Sequence, residues 1–269
     1  MRPQCGHAPH SPGANRRAPG RRAGICIAVL LAQFVGGPAL AANLMVSAAS
    51  SLTNAFTEIG GAYEKQRPDT RVLFNFGASG QLLQQISRGA PVDVLATADL
   101  ETMDRAESQR LIVRASRSNF ASNKLLLVLP GDSTLVISRL ADLMQPQVHR
   151  IALGKPETVP VGRYAKAALE QAGIWEQLAP KFIYTQNVRQ SLDYIFRGEV
   201  DAGFVYASDA ALSPVKLRKA LDVALDKPIL YPIAAVKGMG NENRANDFIA
   251  FVRSPPAQAI LAKYGFLAP

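Results

Sequence analysis

Short apolar runs alternate with helix-like stretches along most of the chain. The run 44–48 is followed by apolar residues at helical spacing, namely Leu52, Phe56, Ile59 and Tyr63. The same order of strand and then helix recurs at 71–89, from 93 into a helix near Asp99, at 151–169 and at 182–197, and a further strand covers 202–206. Repeated β-α-β units with short connections predict parallel sheets covered by helices on both faces.

Two almost wholly apolar runs, 124–129 and 229–236, flank the second half of this pattern. The sequence therefore predicts two α/β lobes, each a mostly parallel sheet flanked by helices, with the second lobe inserted into the first. The predicted boundaries are 42–123 with 232–269 for lobe I and 124–231 for lobe II, and two crossing strands form a hinge. Ligands of such sheets bind beyond the carboxyl ends of the strands, so the predicted site lies in the cleft between the lobes.

Residues 1–41 have the pattern of a cleaved signal peptide. Four arginines (16, 17, 21 and 22) precede the apolar stretch 25–35, and a small-x-small site ends at Ala41. The stretch is shorter than the roughly 18–20 residues that span a bilayer. Cleavage would remove both cysteines, Cys5 and Cys26, and these four arginines together with Arg2, which lowers the formal net charge from +9 to +4. We therefore expect an exported, periplasmic protein without disulfides, and no nucleic-acid partner.

Candidate binding residues occupy the turns where predicted strands lead into helices. Ser51 and Ser79 follow the first two strands, Val161 lies in the turn before a helix predicted after Gly162, Val188 lies in the turn into a later helix, and Tyr206 ends a buried strand. A helix start has N–H groups without partners and carries partial positive charge, so several starts facing one cleft can bind an anion. Each residue taken alone also has an ordinary explanation as a helix cap, a turn residue or a core tyrosine.

Taken together, these stretches resemble the periplasmic molybdate-binding proteins of ABC importers. The resemblance covers essentially all of 42–269 and includes "GKPETVPVGRYAKAAL", "GAPVDVLATAD", "FVYASDA" and "KYGF". It implies a two-lobed periplasmic binding protein fold of type II that binds molybdate or tungstate and delivers it to a membrane permease. It also implies which residues donate hydrogen bonds to the oxyanion's oxygens, without any direct bond to the metal: Ser51, Ser79, Val161, Val188 and Tyr206.

Three positions depart from that family's pattern. Lys155 stands where an acidic residue is usual, Val161 is larger than the usual alanine, and Gly80 replaces a frequent serine. We expect Val161 to narrow the pocket and Gly80 to matter little. The sequence does not assign a role to Lys155.

Other functions fit the residues less well. A serine hydrolase would need a base, yet His149 is the only histidine after residue 41 and lies away from both serine turns. One histidine without cysteine argues against a metal site, and the leader argues against the effector-binding module of a regulator. The remaining alternative keeps the fold and changes the ligand to sulfate, thiosulfate or another small oxyanion. We expect no enzyme activity, no cofactor and a monomer.

Overall fold

The structure is a computed structural model that describes residues 41–212 and 217–269. The predicted signal peptide lies outside these residues except for Ala41, and so do both cysteines. Within the described ranges, no helix is long and apolar enough to cross a bilayer.

Two five-stranded sheets organise the described chain. In the first sheet the strand order is β2-β1-β3-β10-β4, and its strands are β1 (Ala42–Ala49), β2 (Thr70–Gly77), β3 (Val94–Ala96), β4 (Ser118–Asn123) and β10 (Ile229–Ala235). In the second sheet the order is β7-β6-β8-β5-β9, and its strands are β5 (Leu125–Pro130), β6 (Ile151–Gly154), β7 (Phe182–Thr185), β8 (Ala202–Tyr206) and β9 (Leu217–Val223). We call the first sheet with its helices lobe I and the second lobe II.

Nine α-helices connect these strands within the described residues. Those of lobe I are α1 (Thr53–Gln66), α2 (Ser79–Ser87), α3 (Leu100–Ser108), α8 (Glu242–Val252) and α9 (Pro255–Lys263). Those of lobe II are α4 (Pro160–Gln171), α5 (Trp175–Leu178), α6 (Val188–Phe196) and α7 (Ala207–Ala210). Apolar faces of α1 and α8 meet in lobe I, where Phe56, Tyr63 and Phe248 pack edge to face. The predicted two-lobed α/β fold is therefore confirmed.

The two sheets share one topology. In each sheet three neighbouring strands are parallel, and the fourth strand in the order, β10 or β5, runs antiparallel to both of its neighbours. In both cases the antiparallel strand is the first one that the chain forms after it crosses from the other lobe. These strands are the two apolar runs of the sequence, and they are buried because they lie inside their sheets.

The crossings between the lobes are short. Lys124 alone separates β4 from β5, and the return segment lies between Val223 and Ile229. The sheet pairing thus places 229–231 in lobe I, whereas the sequence boundary put them in lobe II. The proline in this run does not end the strand, because Pro232 lies where the register with β4 shifts, a position that tolerates a missing N–H.

Three details of secondary structure differ from the prediction. Strands β4 and β9 were not predicted, since both are edge strands with polar residues on their exposed faces, and the helix α4 begins at Pro160 instead of after Gly162. Proline suits the first helical position because its missing N–H would have no helical partner there.

The start of α4 packs directly on the end of β6. A Cβ atom built on Gly162 would lie 1.8 Å from the carbonyl oxygen of Gly154. Only glycine therefore allows this helix to begin so close to the strand.

We predict that Gly162→Ala lowers the free energy of unfolding by roughly 1–3 kcal/mol, because the helix must move away from β6. The matched control is Gly61→Ala in α1, where a Cβ would meet nothing within 4 Å. That exposed substitution should instead stabilise the protein by roughly 0.5–1 kcal/mol. Urea unfolding of both variants measures the difference, and equal midpoints would contradict the packing argument.

Candidate functional site

A small cavity lies between the lobes, at the carboxyl ends of six strands. Its volume, with its opening to solvent, is about 190 Å³. All five residues singled out from the sequence line it, namely Ser51, Ser79, Val161, Val188 and Tyr206. They are at most 3% exposed, so the two lobes together enclose the site.

Lobe I contributes two serine hydroxyls. Ser51 lies in a short 3-10 helix after β1, and its Oγ is 3.1 Å from the hydroxyl oxygen of Tyr231. Ser79 is the first residue of α2, and its Oγ accepts a hydrogen bond of 3.1 Å from the N–H of Ala98. Neither serine caps its own helix with its side chain. Both hydroxyls are therefore held at the cavity by contacts outside their own helices.

Lobe II contributes peptide N–H groups at two helix starts. Val161 is the second residue of α4 and Val188 is the first of α6. Among the described residues, nothing accepts a hydrogen bond from either N–H. The side-chain oxygen of Asn187 accepts from the N–H of Gln190 further along α6, and its carbonyl accepts from the N–H of Ser191, so neither engages the N–H of Val188. The two helix starts thus present donors with partial positive charge to the cavity.

The hydroxyl of Tyr206 is buried without a hydrogen-bond partner in the described part of the chain. Burial raises the pKa of this phenol well above its ordinary value, so the hydroxyl keeps its proton. A buried hydroxyl without a partner is destabilising by about 1–3 kcal/mol. A ligand in the cavity that accepts a hydrogen bond from this hydroxyl would supply the missing partner.

No charged side chain is among the lining residues that the structure describes. Two arginines of lobe II lie close by, and each is paired with a buried carboxylate. Arg163 donates from Nε to Asp99 of lobe I at 2.9 Å, and Arg189 lies 2.8 Å from Asp209. Burial raises the pKa of Asp209 to about 6 although Arg189 opposes this shift, so the carboxylate is mostly ionised at neutral pH. The carboxylates thus largely neutralise the arginine charges. The hydrogen-bond donors that line the cavity are neutral hydroxyl and peptide groups.

The same arginines hold the lobes together. Arg163 donates to Thr102 Oγ1 of lobe I at 2.8 Å, and Arg189 donates to the Ser51 carbonyl at 3.1 Å and to Asn54 Oδ1 at 2.9 Å. The structure therefore represents the closed arrangement of the two lobes.

Gly80 forms a close backbone contact between the lobes. Its N–H donates to the carbonyl of Thr158 at 3.0 Å, and a Cβ at this position would lie 2.8 Å from the Cα and the carbonyl oxygen of Thr158. The expectation that Gly80 matters little is therefore wrong for the closed arrangement, in which a serine side chain would have no room.

Lys155 and His149 lie away from the cavity. Both are exposed and neither is among its lining residues. In the described ranges, no group of three histidine, cysteine or acidic residues could hold a metal ion. These placements put neither Lys155 nor His149 beside Ser51 or Ser79, where it could act as a base.

Sequence reasoning missed several residues of the site. Ala98 could have been found, because it follows β3 just as the predicted residues follow their strands. Tyr231 and Asn123 gave no such signal, since they lie within β10 and at the end of β4.

Comparisons with known proteins agree with this geometry. Residues 44–267 match a family model described as bacterial extracellular solute-binding protein. The molybdate-binding protein ModA of Escherichia coli is 36% identical over 86% of this chain and 92% of its own length. A putative ABC transporter substrate-binding lipoprotein of Bacillus subtilis, YvgL, is 33% identical over 84% of this chain and 86% of its own.

A solved structure shows the same fold. The periplasmic molybdate-binding protein of Azotobacter vinelandii superimposes with a TM-score of 0.75 at 23% identity, over 84% of this chain and 99% of that one. At this identity the likeness supports the two-lobed architecture and does not by itself identify a ligand.

We predict that Gly80→Ala opens the cleft. The added methyl group would clash with the backbone of Thr158, while alanine within α2 favours the helix itself. Small-angle X-ray scattering should give a larger radius of gyration, and thermal unfolding should show no loss of stability. Gly61→Ala is the control and should leave the radius of gyration unchanged. If Gly80→Ala also leaves the radius of gyration unchanged, the backbone at Thr158 shifts to accommodate the methyl group and the prediction is wrong.

Proposed function

The chain belongs to the family of bacterial extracellular solute-binding proteins, and from this premise we propose that it captures molybdate, or tungstate, between its lobes and delivers it to an ABC importer. One observation carries the proposal. Hydroxyl and peptide donors from both lobes meet at one cavity whose described lining has no charged side chain.

The donor set suits a fully deprotonated tetrahedral dianion. Every oxygen of molybdate accepts hydrogen bonds at neutral pH, so each buried donor gains an ionic partner. Hydrogen bonds to a charged group contribute roughly 1.5–3 kcal/mol each. Donors at Ser51, Ser79, Val161, Val188 and Tyr206 can therefore support micromolar to nanomolar binding after desolvation and ordering costs.

The same set disfavours the commoner oxyanions. Hydrogen phosphate has a proton that needs an acceptor, and leaving it unpaired costs roughly 1–3 kcal/mol. Sulfate has no proton but is smaller than molybdate, because S–O bonds are shorter than Mo–O bonds, and helix ends hold it too loosely. Tungstate is nearly the size of molybdate and binds similarly.

Capture and release follow from the two crossings. When the lobes rotate apart about Lys124 and the return segment, the donors of lobe I separate from those of lobe II, and water can enter. The cargo is then held by the donors of one lobe only. We further propose that the protein is a periplasmic monomer exported with cleavage near Ala41, and that a membrane permease receives the closed form. Molybdate is cargo in this proposal, and no resident cofactor is required.

A calorimetric panel of the mature protein tests the ligand. We expect tight binding of molybdate and tungstate, weak binding of sulfate and little binding of phosphate. A reversed order of sulfate and molybdate would refute the assignment, and so would the absence of binding to all four anions.

Substitutions test the donors one at a time. Ser51→Ala, Ser79→Ala and Tyr206→Phe each remove one hydroxyl, and each should weaken molybdate binding about tenfold or more, since a hydrogen bond to a charged group is lost. The control Lys155→Ala removes a positive charge from an exposed side chain outside the lining and should change the affinity less than twofold, roughly. A large loss in the lysine variant with none in the serine variants would contradict the neutral-donor site.

A further inference from the structure

A buried chain of hydrogen bonds leads from the hinge to Ser51. It begins at Asn123, the last residue of β4, beside the crossing at Lys124. The side-chain oxygen of Asn123 accepts from the N–H of Lys124 at 2.9 Å and from the N–H of Ser208 at 3.4 Å. Since peptide N–H groups can only donate, these two contacts fix which end of the Asn123 amide is oxygen.

The amide nitrogen of Asn123 must therefore donate. It donates to Ser208 Oγ at 2.8 Å and to the Tyr231 hydroxyl oxygen at 3.3 Å. Tyr231 is fully buried, and burial raises the pKa of its hydroxyl well above the ordinary value, so the proton stays in place. In the described chain, the only group left to accept that proton is Ser51 Oγ, 3.1 Å away.

Each step fixes the direction of the next. Because Tyr231 donates to Ser51 Oγ, the Ser51 proton must point elsewhere, and Ser51 lines the cavity. Ser79 is arranged in the same way by a single contact, since its Oγ accepts from the N–H of Ala98. Both serines are thereby set as donors toward the cavity.

We propose that Asn123 and Tyr231 are positioning residues that fix Ser51 as a donor and so make the site select against oxyanions that carry a proton. This inference rests on the proposed function, because it explains how hydroxyls, which can also accept, act only as donors. A free serine hydroxyl could rotate and accept the proton of hydrogen phosphate. When Tyr231 occupies one of the two lone pairs of Ser51 Oγ and the Ser51 proton is turned toward the cavity, Ser51 is much less able to accept there.

Tyr231→Phe tests the inference while keeping the ring that packs against Phe120, Tyr206 and Phe266. Calorimetry in mildly alkaline buffer, where molybdate and hydrogen phosphate are both dianions, gives the ratio of their affinities, with phosphate measured by displacement of molybdate. We expect this ratio to fall about tenfold, because the freed Ser51 can accept the phosphate proton. The ratio of molybdate to sulfate should stay unchanged, since neither anion has a proton.

Two further variants sharpen the test. Tyr264→Phe is the matched control, because its hydroxyl donates to Glu58 and Tyr264 does not line the cavity. It should leave every ratio unchanged. Asn123→Asp keeps the oxygen that accepts from Lys124 and Ser208 but replaces the donating nitrogen with an acceptor. Tyr231 would then donate to the carboxylate and Ser51 to Tyr231, so the molybdate-to-phosphate ratio should again fall.

The outcomes separate the two proposals. If the unaltered protein fails to bind molybdate, the proposed function is wrong. The positioning role is overturned if the unaltered protein binds molybdate but the two substitutions, Tyr231→Phe and Asn123→Asp, leave the ratio of molybdate affinity to phosphate affinity unchanged. This includes the case in which they weaken the binding of molybdate, phosphate and sulfate by one common factor. A selective loss of discrimination against phosphate supports it.

Discussion

A dianion can leave water only if several hydrogen-bond donors replace its hydration shell together. In this protein the donors are split between two sheets, with the serines in lobe I and the peptide groups and Tyr206 in lobe II. Neither lobe alone surrounds the cavity. The contacts that bring the lobes together, above all Gly80 with Thr158, are therefore part of the binding site although their side chains donate nothing to it.

Two arginine side chains link the lobes, and neither of them lines the cavity. Arg163 and Arg189 both belong to lobe II, and both reach groups of lobe I. Their buried partners Asp99 and Asp209 balance them, so neither arginine acts as a free cation toward an anion in the cavity. An anion would consequently meet directed dipoles instead of mobile charges, which favours recognition by geometry.

Much of this arrangement could be predicted from the sequence, because both periodicity and turn chemistry are local. The alternation of strand and helix predicted both lobes, and the turns after the strands, together with the family resemblance, predicted five of the residues that line the cavity. Their contacts with a ligand remain a prediction. Long-range pairing was not predictable. The hydrogen bonds that link Asn123, Tyr231 and Ser51 join residues that are distant in sequence. In the sequence, Tyr231 is one member of a mostly apolar run, and nothing there marks its hydroxyl as a hydrogen-bonding group. The edge strands β4 and β9 were missed because polar positions hide their half-buried faces.

Lobe I is built from two separate parts of the sequence, and this affects the order in which the lobes can fold. Lobe II is built from one continuous stretch, whereas the sheet of lobe I needs β10, and the N–H of Leu267 donates to the carbonyl of Ser122 in β4. A ribosome delivers the amino terminus first, so β1 to β3 must wait for nearly the whole polypeptide before their sheet is complete. Folding of lobe I is thus dominated by contacts of long sequence separation, which close slowly. Lobe II can therefore complete its sheet while lobe I still waits for β10.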